Sequence, residues 1–322
     1  MNKLGKITLS LVAAALAGCG GGGGGGDVGA AATVTPTATS VSGVAAKGIV
    51  KQANVLVCRI SNGVPEADAW CASTTTGNDG SYSVSFSDGY TGPVMVKIMA
   101  GTASTMVDET TGTDVPYNMT MRAVIPAVGT ATTAYVTPFS EMAANAASMT
   151  AMDATTIRQS IAAVESTMLS LGLDMSVMPL IDLKDNASSS ATLTAQANMV
   201  KQLARVAMAA KNSSRLHDGS GAACNATGTT TSEQFACAVT AMANVMDSYV
   251  TADPTKSADL LAALNAQNPT SVDMPIRRAD GTMGMEIADM TSFTSMQAAM
   301  EKAGMAVTDA ANTTNSMMGG MR

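Results

Sequence analysis

The chain has 322 residues, of which 46% are hydrophobic, 13% are charged and only 3% are aromatic, and its formal net charge is −7. This length suits two domains of ordinary size. An acidic chain that lacks a run of Lys and Arg repels phosphate, which argues against nucleic acid as a partner.

The first eighteen residues have the pattern of an export signal. Lys3 and Lys6 give a positively charged start, and the apolar run from Ile7 to Leu16 follows. This run is too short to cross a hydrocarbon layer about 30 Å thick. We therefore predict a signal peptide over residues 1–18, and its removal changes the formal charge from −7 to −9 because two lysines are lost.

The segment "LAGC", which ends at Cys19, resembles the bacterial lipobox, in which the cysteine is acylated and becomes the first mature residue. Ordinary signal-peptidase cleavage, with Cys19 uninvolved, is the alternative. The resemblance implies a membrane anchor of several acyl chains on Cys19, as durable attachment requires. By resemblance to proteobacterial lipoproteins, Gly20 implies sorting to the outer membrane, on its periplasmic or cell-surface face.

Residues 19–42 are predicted to be a flexible tether. Seven consecutive glycines follow Cys19, and an Ala-, Thr- and Ser-rich stretch continues to about Ser42. Glycine loses more conformational freedom on folding than any other residue, so such a run builds no core. About two dozen residues of this composition reach roughly 25–30 Å.

Four cysteines remain beside the acylated one, and they form two local pairs, Cys58 with Cys71 and Cys224 with Cys237. An oxidising periplasm or cell surface permits disulfides. Three connectivities are open, and local pairing is the simplest, with each loop stabilising by about 3 kcal/mol. A zinc site is the alternative, but neither pair has the usual C-x₂₋₄-C spacing. We therefore predict two local disulfides.

Residues 43–128 show the two-residue hydrophobic period of β-strands. Short strands are predicted at 47–51 and over "NVLVCRI", "SYSVSF", "GPVMVKIMA" and "MTMRAVIP", and Asp79-Gly80 in "GNDG" suits a turn between two of them. Six or seven short strands predict an antiparallel β-sandwich. The Cys58–Cys71 pair would hold neighbouring segments together beside Trp70.

Three of these segments, "KGIVKQANVLV", "TTTGNDGSYSV" and "GPVMVKI", together resemble the carboxypeptidase-regulatory-like domain, a transthyretin-like (prealbumin-like) β-sandwich. The family shows a G-x-V strand, an A-x-V strand and a T-x-x-D-G-x-Y hairpin. The matching positions in this chain are Gly48, Val50, Ala53, Val55, Asp79, Gly80 and Tyr82. The resemblance implies a non-catalytic accessory or adhesive module, and it brings no active-site residues.

Residues 135–310 change to the three-and-four spacing of amphipathic helices. Thr137 followed by Pro138 predicts a helix start, with Glu141 near the third position of a capping box. Further helices are predicted, the last over "TSFTSMQAAMEKAGMAV". The fold predicted is therefore two-domain, an N-terminal antiparallel transthyretin-like β-sandwich followed by an all-alpha helical domain.

No constellation for catalysis is evident. A Ser-His-Asp arrangement needs an oriented base, and His217, the single histidine, lies beside Asp218 without a G-x-S-x-G elbow. We predict a solvated loop residue. Four acidic residues could in principle bind Ca²⁺, but they lack the spacing of a calcium loop: Asp79, Asp88, Asp108 and Glu109. The prediction is a protein that is not an enzyme and needs no cofactor.

Methionine is abundant, with 26 in the chain and several in the tail at residues 311–322. Thioethers bind Cu(I), and Met317, Met318 and Met321 are the candidate ligands. They can also consume oxidant through the sulfoxide. Against this, many methionines take core positions of helices, where Met fills irregular gaps: Met142, Met168, Met199, Met208, Met242, Met246, Met296 and Met300.

These patterns predict a non-enzymatic, outer-membrane-anchored lipoprotein. Its β-sandwich and helical domain would serve interaction with an envelope protein or a surface polymer, and its membrane contact would be the lipid on Cys19. The alternative is a methionine-rich periplasmic protein that binds copper or buffers oxidant.

Overall fold

The computed structural model describes residues 36–169, 173–182, 190–251 and 254–289. The predicted signal peptide, Cys19, the last predicted helix and the tail with Met317, Met318 and Met321 lie outside these residues. The described part of the predicted tether already contains the first strand, which begins at Thr39.

Fourteen strands occur in the described residues, and they form four sheets. Their bounds are β1 (Thr39–Val44), β2 (Val50–Lys51), β3 (Asn54–Ser61), β4 (Val64–Pro65), β5 (Ala72–Thr75), β6 (Ser81–Phe86), β7 (Val94–Met99), β8 (Thr105–Asp108), β9 (Thr113–Pro116), β10 (Thr120–Ile125), β11 (Thr132–Thr133), β12 (Ile181–Asp182), β13 (Ser271–Arg277) and β14 (Met283–Asp289). A short 3-10 helix, Asp68–Trp70, lies between β4 and β5.

The largest sheet has the order β10-β7-β3-β4, with β5 also paired to β3. The three smaller sheets have the orders β11-β1-β6, β2-β8-β9 and β12-β13-β14. Strand pairs are antiparallel except β1 with β11 and β12 with β13. The two-residue period explains β6, because Tyr82, Val84 and Phe86 are buried while Ser83 and Ser85 face solvent.

Five α-helices are described: α1 (Pro138–Ser148), α2 (Ala154–Met168), α3 (Ser190–Asn212), α4 (Thr231–Thr251) and α5 (Pro254–Asn265). Helix α1 begins as predicted, with Thr137 as N-cap and Pro138 in the first turn. The capping box is closed by Ser140 rather than Glu141. The Glu141 carboxylate instead binds the Arg122 guanidinium on β10, with 2.5 Å between Oε1 and Nη2. This pair joins α1 to the largest sheet.

The predicted fold class, a β-sandwich followed by an all-alpha domain, is wrong. Strands predominate by number, and the residues up to Thr133 form eleven strands in three sheets rather than one six- or seven-stranded sandwich. Strands also follow the helices, since β12, β13 and β14 form a sheet within residues 135–310. In β13, Val272, Met274 and Ile276 are at most 1% exposed, which is the alternation of a strand.

Sheets and helices share their core. From Pro36 onwards the described residues belong to one compact unit. A single buried cluster contains Ile98 and Met121 from the largest sheet together with Met142, Leu203 and Phe235 from three helices. The apolar stripes of the helices are therefore covered by strands as well as by other helices, which is why no separate helical domain forms.

Both predicted disulfides are confirmed. Cys58 of β3 is bonded to Cys71, and Cys224 is bonded to Cys237 of α4. Each closes a loop with a sequence separation of 13. Within the described part of the chain, no helix combines the length and apolar character needed to span a bilayer.

Candidate functional site

Trp70, the single tryptophan of the chain, is 80% exposed. It is the last residue of the short 3-10 helix. Large aromatic side chains are highly buried on average, so an indole left in solvent is a more informative observation than an exposed small residue. We therefore take Trp70 as the centre of the candidate site.

The backbone around Trp70 is held in place from both sides. Its N–H donates to the Ala67 carbonyl at 2.8 Å, and the N–H of Cys71 donates to the Asp68 carbonyl at 3.3 Å. Cys71 is also bonded to Cys58, which is fully buried in the largest sheet. The backbone that carries the exposed ring is therefore already ordered, so less conformational entropy of the protein is lost when a partner covers the ring.

An open cleft of about 650 Å³ lies beside Trp70, and its lining combines charged, apolar and sulfur-bearing groups: Arg59, Glu66, Ala67, Trp70, Cys71, Ala72 and Phe86. We call these residues, with Asp68, Asp88, Tyr90 and Lys97 at their edge, the Trp70 surface. Strand β3 supplies Arg59, and β6 supplies Phe86. Volumes of this size are common for sites that bind small molecules.

Arg59 is oriented by two aromatic rings and one carboxylate. Its guanidinium carbon lies 5.2 Å from the ring centroid of Phe86 and 4.8 Å from that of Tyr90. Its Nη2 is 2.9 Å from the Asp88 carboxylate. Burial raises the pKa of the Tyr90 phenol above its usual value, so the hydroxyl remains a donor, here to the Pro93 carbonyl at 2.8 Å.

The remaining charges of the Trp70 surface are close to balanced. Lys97 Nζ lies 2.5 Å from an oxygen of Asp68. Glu66 is half-buried, and its carboxylate makes no hydrogen bond or ion pair with any other described residue. The Trp70 surface therefore contains two cations and three carboxylates.

One group of metal-ligating atoms occurs among the described residues, and it falls at this surface. The ligand atoms of Cys58, Asp68 and Cys71 lie within 4.8 Å of one another. Both sulfurs are joined in the disulfide, and metals bind the thiolate. The Asp68 carboxylate already pairs with Lys97. These residues do not fit a metal in the oxidised chain.

His217 lies in the loop after α3 and is exposed, as predicted. It lines a cleft of about 490 Å³ together with Asp218. One oxygen of Asp218 accepts hydrogen bonds from the N–H and hydroxyl of Ser220 at 2.8 and 2.7 Å. The Asp218 carboxylate and the Ser220 hydroxyl therefore bind each other within one turn, and neither orients the imidazole.

The four acidic residues considered for calcium do not converge, because each carboxylate pairs with a different cation: Asp79 with Arg277, Asp88 with Arg59, Asp108 with Lys211, and Glu109 with Lys47. Asp79 also accepts hydrogen bonds from the N–H and hydroxyl of Ser81 in the predicted turn, at 3.0 and 2.6 Å. The turn ends at Gly80, whose φ of 73° suits glycine.

A buried ion pair was missed by the sequence analysis. Lys47 Nζ lies 2.8 Å from Glu109 Oε2, and the two side chains are 0% and 1% exposed. The second carboxylate oxygen of Glu109 accepts the N–H of Gly48. Lys47 Nζ also lies 3.8 Å from the centroid of Phe235 on α4. Both partners of the pair are therefore enclosed and hydrogen-bonded.

A second ion pair flanks the same ring. Lys211 Nζ lies 2.5 Å from Asp108 Oδ2 and 5.5 Å from the centroid of Phe235. We call these five residues the Phe235 charge cluster: Lys47, Asp108, Glu109, Lys211 and Phe235. It brings together the turn after β1, the end of β8 and helices α3 and α4, and its described charges are compensated. We assign it a structural role.

The described methionines mainly fill the core. Met142, Met168, Met199 and Met242 are at most 2% exposed. Met283 and Met285 lie in β14 and pack, partly buried, against the main cluster. Met208 is half-buried. These positions suit the gap-filling role of methionine, and Met296 and Met300 lie outside the described residues.

Comparisons with family models, with curated proteins and with solved structures each found no match to this chain.

Proposed function

We propose that the protein is a non-enzymatic lipoprotein, anchored to the outer membrane through Cys19, that binds a protein or surface polymer of the envelope through the Trp70 surface. The lipobox-like "LAGC" and the glycine-rich tether support the anchor. The observation that carries the binding role is Trp70 itself, 80% exposed on a base fixed by a disulfide.

An exposed tryptophan on a fixed backbone favours binding for two physical reasons. Covering an indole removes a large apolar area from water, and each Å² of buried apolar area contributes about 25 cal/mol of favourable free energy. Little ordering entropy is lost, because the neighbouring Cys71 is already tied to the buried Cys58. Tryptophan is accordingly among the residues that contribute most when they lie at the centre of an interface.

The copper or oxidant alternative receives little support from the described methionines, most of which pack in or against the core, although Met149 is 38% exposed. It depends on Met317, Met318 and Met321, which lie outside the described residues. The interaction role is therefore the function that the observed geometry supports best.

The test uses the full-length protein in detergent and isolated outer-membrane envelopes from the producing cells. We expect the native protein to co-sediment with the envelopes. The Trp70→Ala variant should bind them with an affinity at least about tenfold lower. Leu169→Ala is the matched control, because Leu169 is also an exposed apolar residue, at 73%, but lies at the end of α2. Mass spectrometry of the mature N-terminus checks the acyl chains on Cys19.

Two outcomes would contradict the proposal. Envelope binding that is equal for the native protein and Trp70→Ala would remove the binding role of this surface. A mature chain that starts elsewhere than Cys19, or carries no acyl mass there, would remove the anchor.

A further inference from the structure

The Trp70 surface places a flat apolar ring directly beside polar groups whose hydrogen-bonding capacity is not used. Building on the binding role proposed above, we infer that its ligand is a neutral saccharide. A pyranose ring lies with its C–H face on the Trp70 indole, and its hydroxyls bind Arg59 and Glu66 in the adjoining cleft.

The ring accounts for one half of this recognition. An aromatic face carries negative charge density, and its edge is positive. A pyranose presents polarised C–H groups on one face and hydroxyls around its rim. Stacking on Trp70 therefore gains both apolar contact and electrostatic attraction, while the hydroxyls stay at the edge, where polar groups can reach them.

Arg59 and Glu66 account for the other half. The described bonds of the Arg59 guanidinium use only Nη2, toward Asp88, which leaves the N–H groups of Nε and Nη1 without a partner among the described residues. The Glu66 carboxylate likewise has no described partner. The Glu66 N–H donates to the Arg59 carbonyl at 2.8 Å, so the two residues are neighbours in the cleft lining. Together they offer donors and an acceptor, which is what two neighbouring hydroxyls require.

The charge around the ring favours a saccharide over a protein. The centre of a protein–protein interface is depleted of charged residues. Arg59 and Glu66 instead line the cleft together with Trp70, and Arg59 carries Asp88 as its ion-pair partner. Asp68, two residues before Trp70, pairs with Lys97. Water-exposed charges of this kind tolerate a hydrated polyhydroxyl ligand, whereas an apolar protein face would leave them without solvent.

The sign of the charge favours a neutral saccharide over an acidic one. The Trp70 surface contains three carboxylates and two cations, and the whole chain has a net charge of −7. A polymer of uronates or phosphates would meet repulsion at long range and would compete with Asp68 and Asp88 for their cations. A neutral glycan meets no such penalty.

The experiment exploits the fact that the chain has a single tryptophan, so fluorescence excited at wavelengths that tyrosine does not absorb reports only on Trp70. The full-length protein in detergent is screened on an array of neutral and acidic glycans, and soluble hits are titrated by fluorescence and calorimetry. We expect binding of neutral glycans, with a blue shift of the emission. Trp70→Ala should weaken binding at least about tenfold by calorimetry, with a smaller loss for Glu66→Ala.

Controls separate binding from folding. Trp70→Phe should retain part of the affinity, because it keeps an aromatic face, and Leu169→Ala should leave it unchanged. Circular dichroism and the melting temperature check each variant. Trp70 is exposed, so its replacement leaves the core intact.

The outcomes distinguish this inference from the proposed function. If no neutral glycan binds in a Trp70-dependent manner, or only acidic glycans do, the saccharide inference is wrong. If the protein nevertheless binds envelopes in a Trp70-dependent manner and the captured partner is a protein, the proposed function stands and only the saccharide inference is wrong. If envelope binding is independent of Trp70, both are wrong.

Discussion

Replacing Glu109 by Gln should destabilise the protein strongly. The substitution keeps the side-chain shape and an oxygen for the Gly48 N–H, but it removes the negative charge 2.8 Å from the Lys47 ammonium. Lys47 is 0% exposed, so no water replaces that charge, and the Phe235 ring compensates only in part. Breaking a buried pair by removing one partner costs about 3–5 kcal/mol.

The loss is measurable by thermal unfolding followed by circular dichroism. For a unit of this size, 1 kcal/mol corresponds to about 2–4 °C in melting temperature, so we expect Tm to fall by roughly 6–20 °C. Lys51→Met is the matched control. Lys51 pairs with Asp114 at the same distance of 2.8 Å, but these side chains are 26% and 47% exposed, so its loss should remain below about 1 kcal/mol.

The double variant Lys47→Met with Glu109→Gln tests the cause. Removing both charges leaves neither uncompensated, so the double variant should be more stable than Glu109→Gln alone. A fall in Tm for Glu109→Gln no larger than that for Lys51→Met would contradict this prediction. Simple addition of the two effects in the double variant would contradict it as well.

Two further predictions concern acid and reduction. Burial raises the pKa of Asp108, but hydrogen bonds, first of all the one from Lys211, outweigh burial and lower this pKa below the usual 3.8. The ionised Asp108 therefore stabilises the fold above about pH 4, and this stabilisation is lost as the pH falls through the pKa of the folded state. Asp108→Asn should flatten the fall of Tm below pH 4, and an unchanged slope would contradict this. Replacing both cysteines of Cys58–Cys71 by serine should destabilise by about 2–4 kcal/mol and lower the fluorescence anisotropy of Trp70. The same change in the other disulfide should leave that anisotropy unaltered, whereas equal effects would show that Cys71 does not hold the ring.

Local features of the fold could be predicted from sequence because they depend on neighbouring residues. The alternation of Tyr82, Val84 and Phe86 in β6 and the cap at Thr137 both follow from short-range geometry. Strand β13 was missed, since Pro275 interrupts its pattern, and the helices predicted from the sequence before and after it hid its period of two. The hydrophobic periodicity of the helices also could not show that their apolar faces pack on strands.

The candidate site illustrates the same limit. The sequence places Trp70 beside a predicted disulfide, but the cleft next to it is lined by Arg59 and Phe86, which come from two other strands. The Lys47–Glu109 pair spans 62 positions, and no spacing rule joins residues that far apart. A buried lysine is rare, so composition favours placing Lys47 at the surface.

The position of β1 bears on how the protein responds to mechanical load. The strand begins at Thr39 and is the middle member of its sheet, with β6 paired along its whole length on one side and β11 on the other. Tension that arrives along the chain from residue 38 acts along this strand. Extracting β1 would require its hydrogen bonds on both sides to break, whereas a strand at the edge of a sheet is held on one side only. Under the anchor proposed on Cys19, this central pairing would make the folded residues more resistant to a pulling force than pairing through an edge strand.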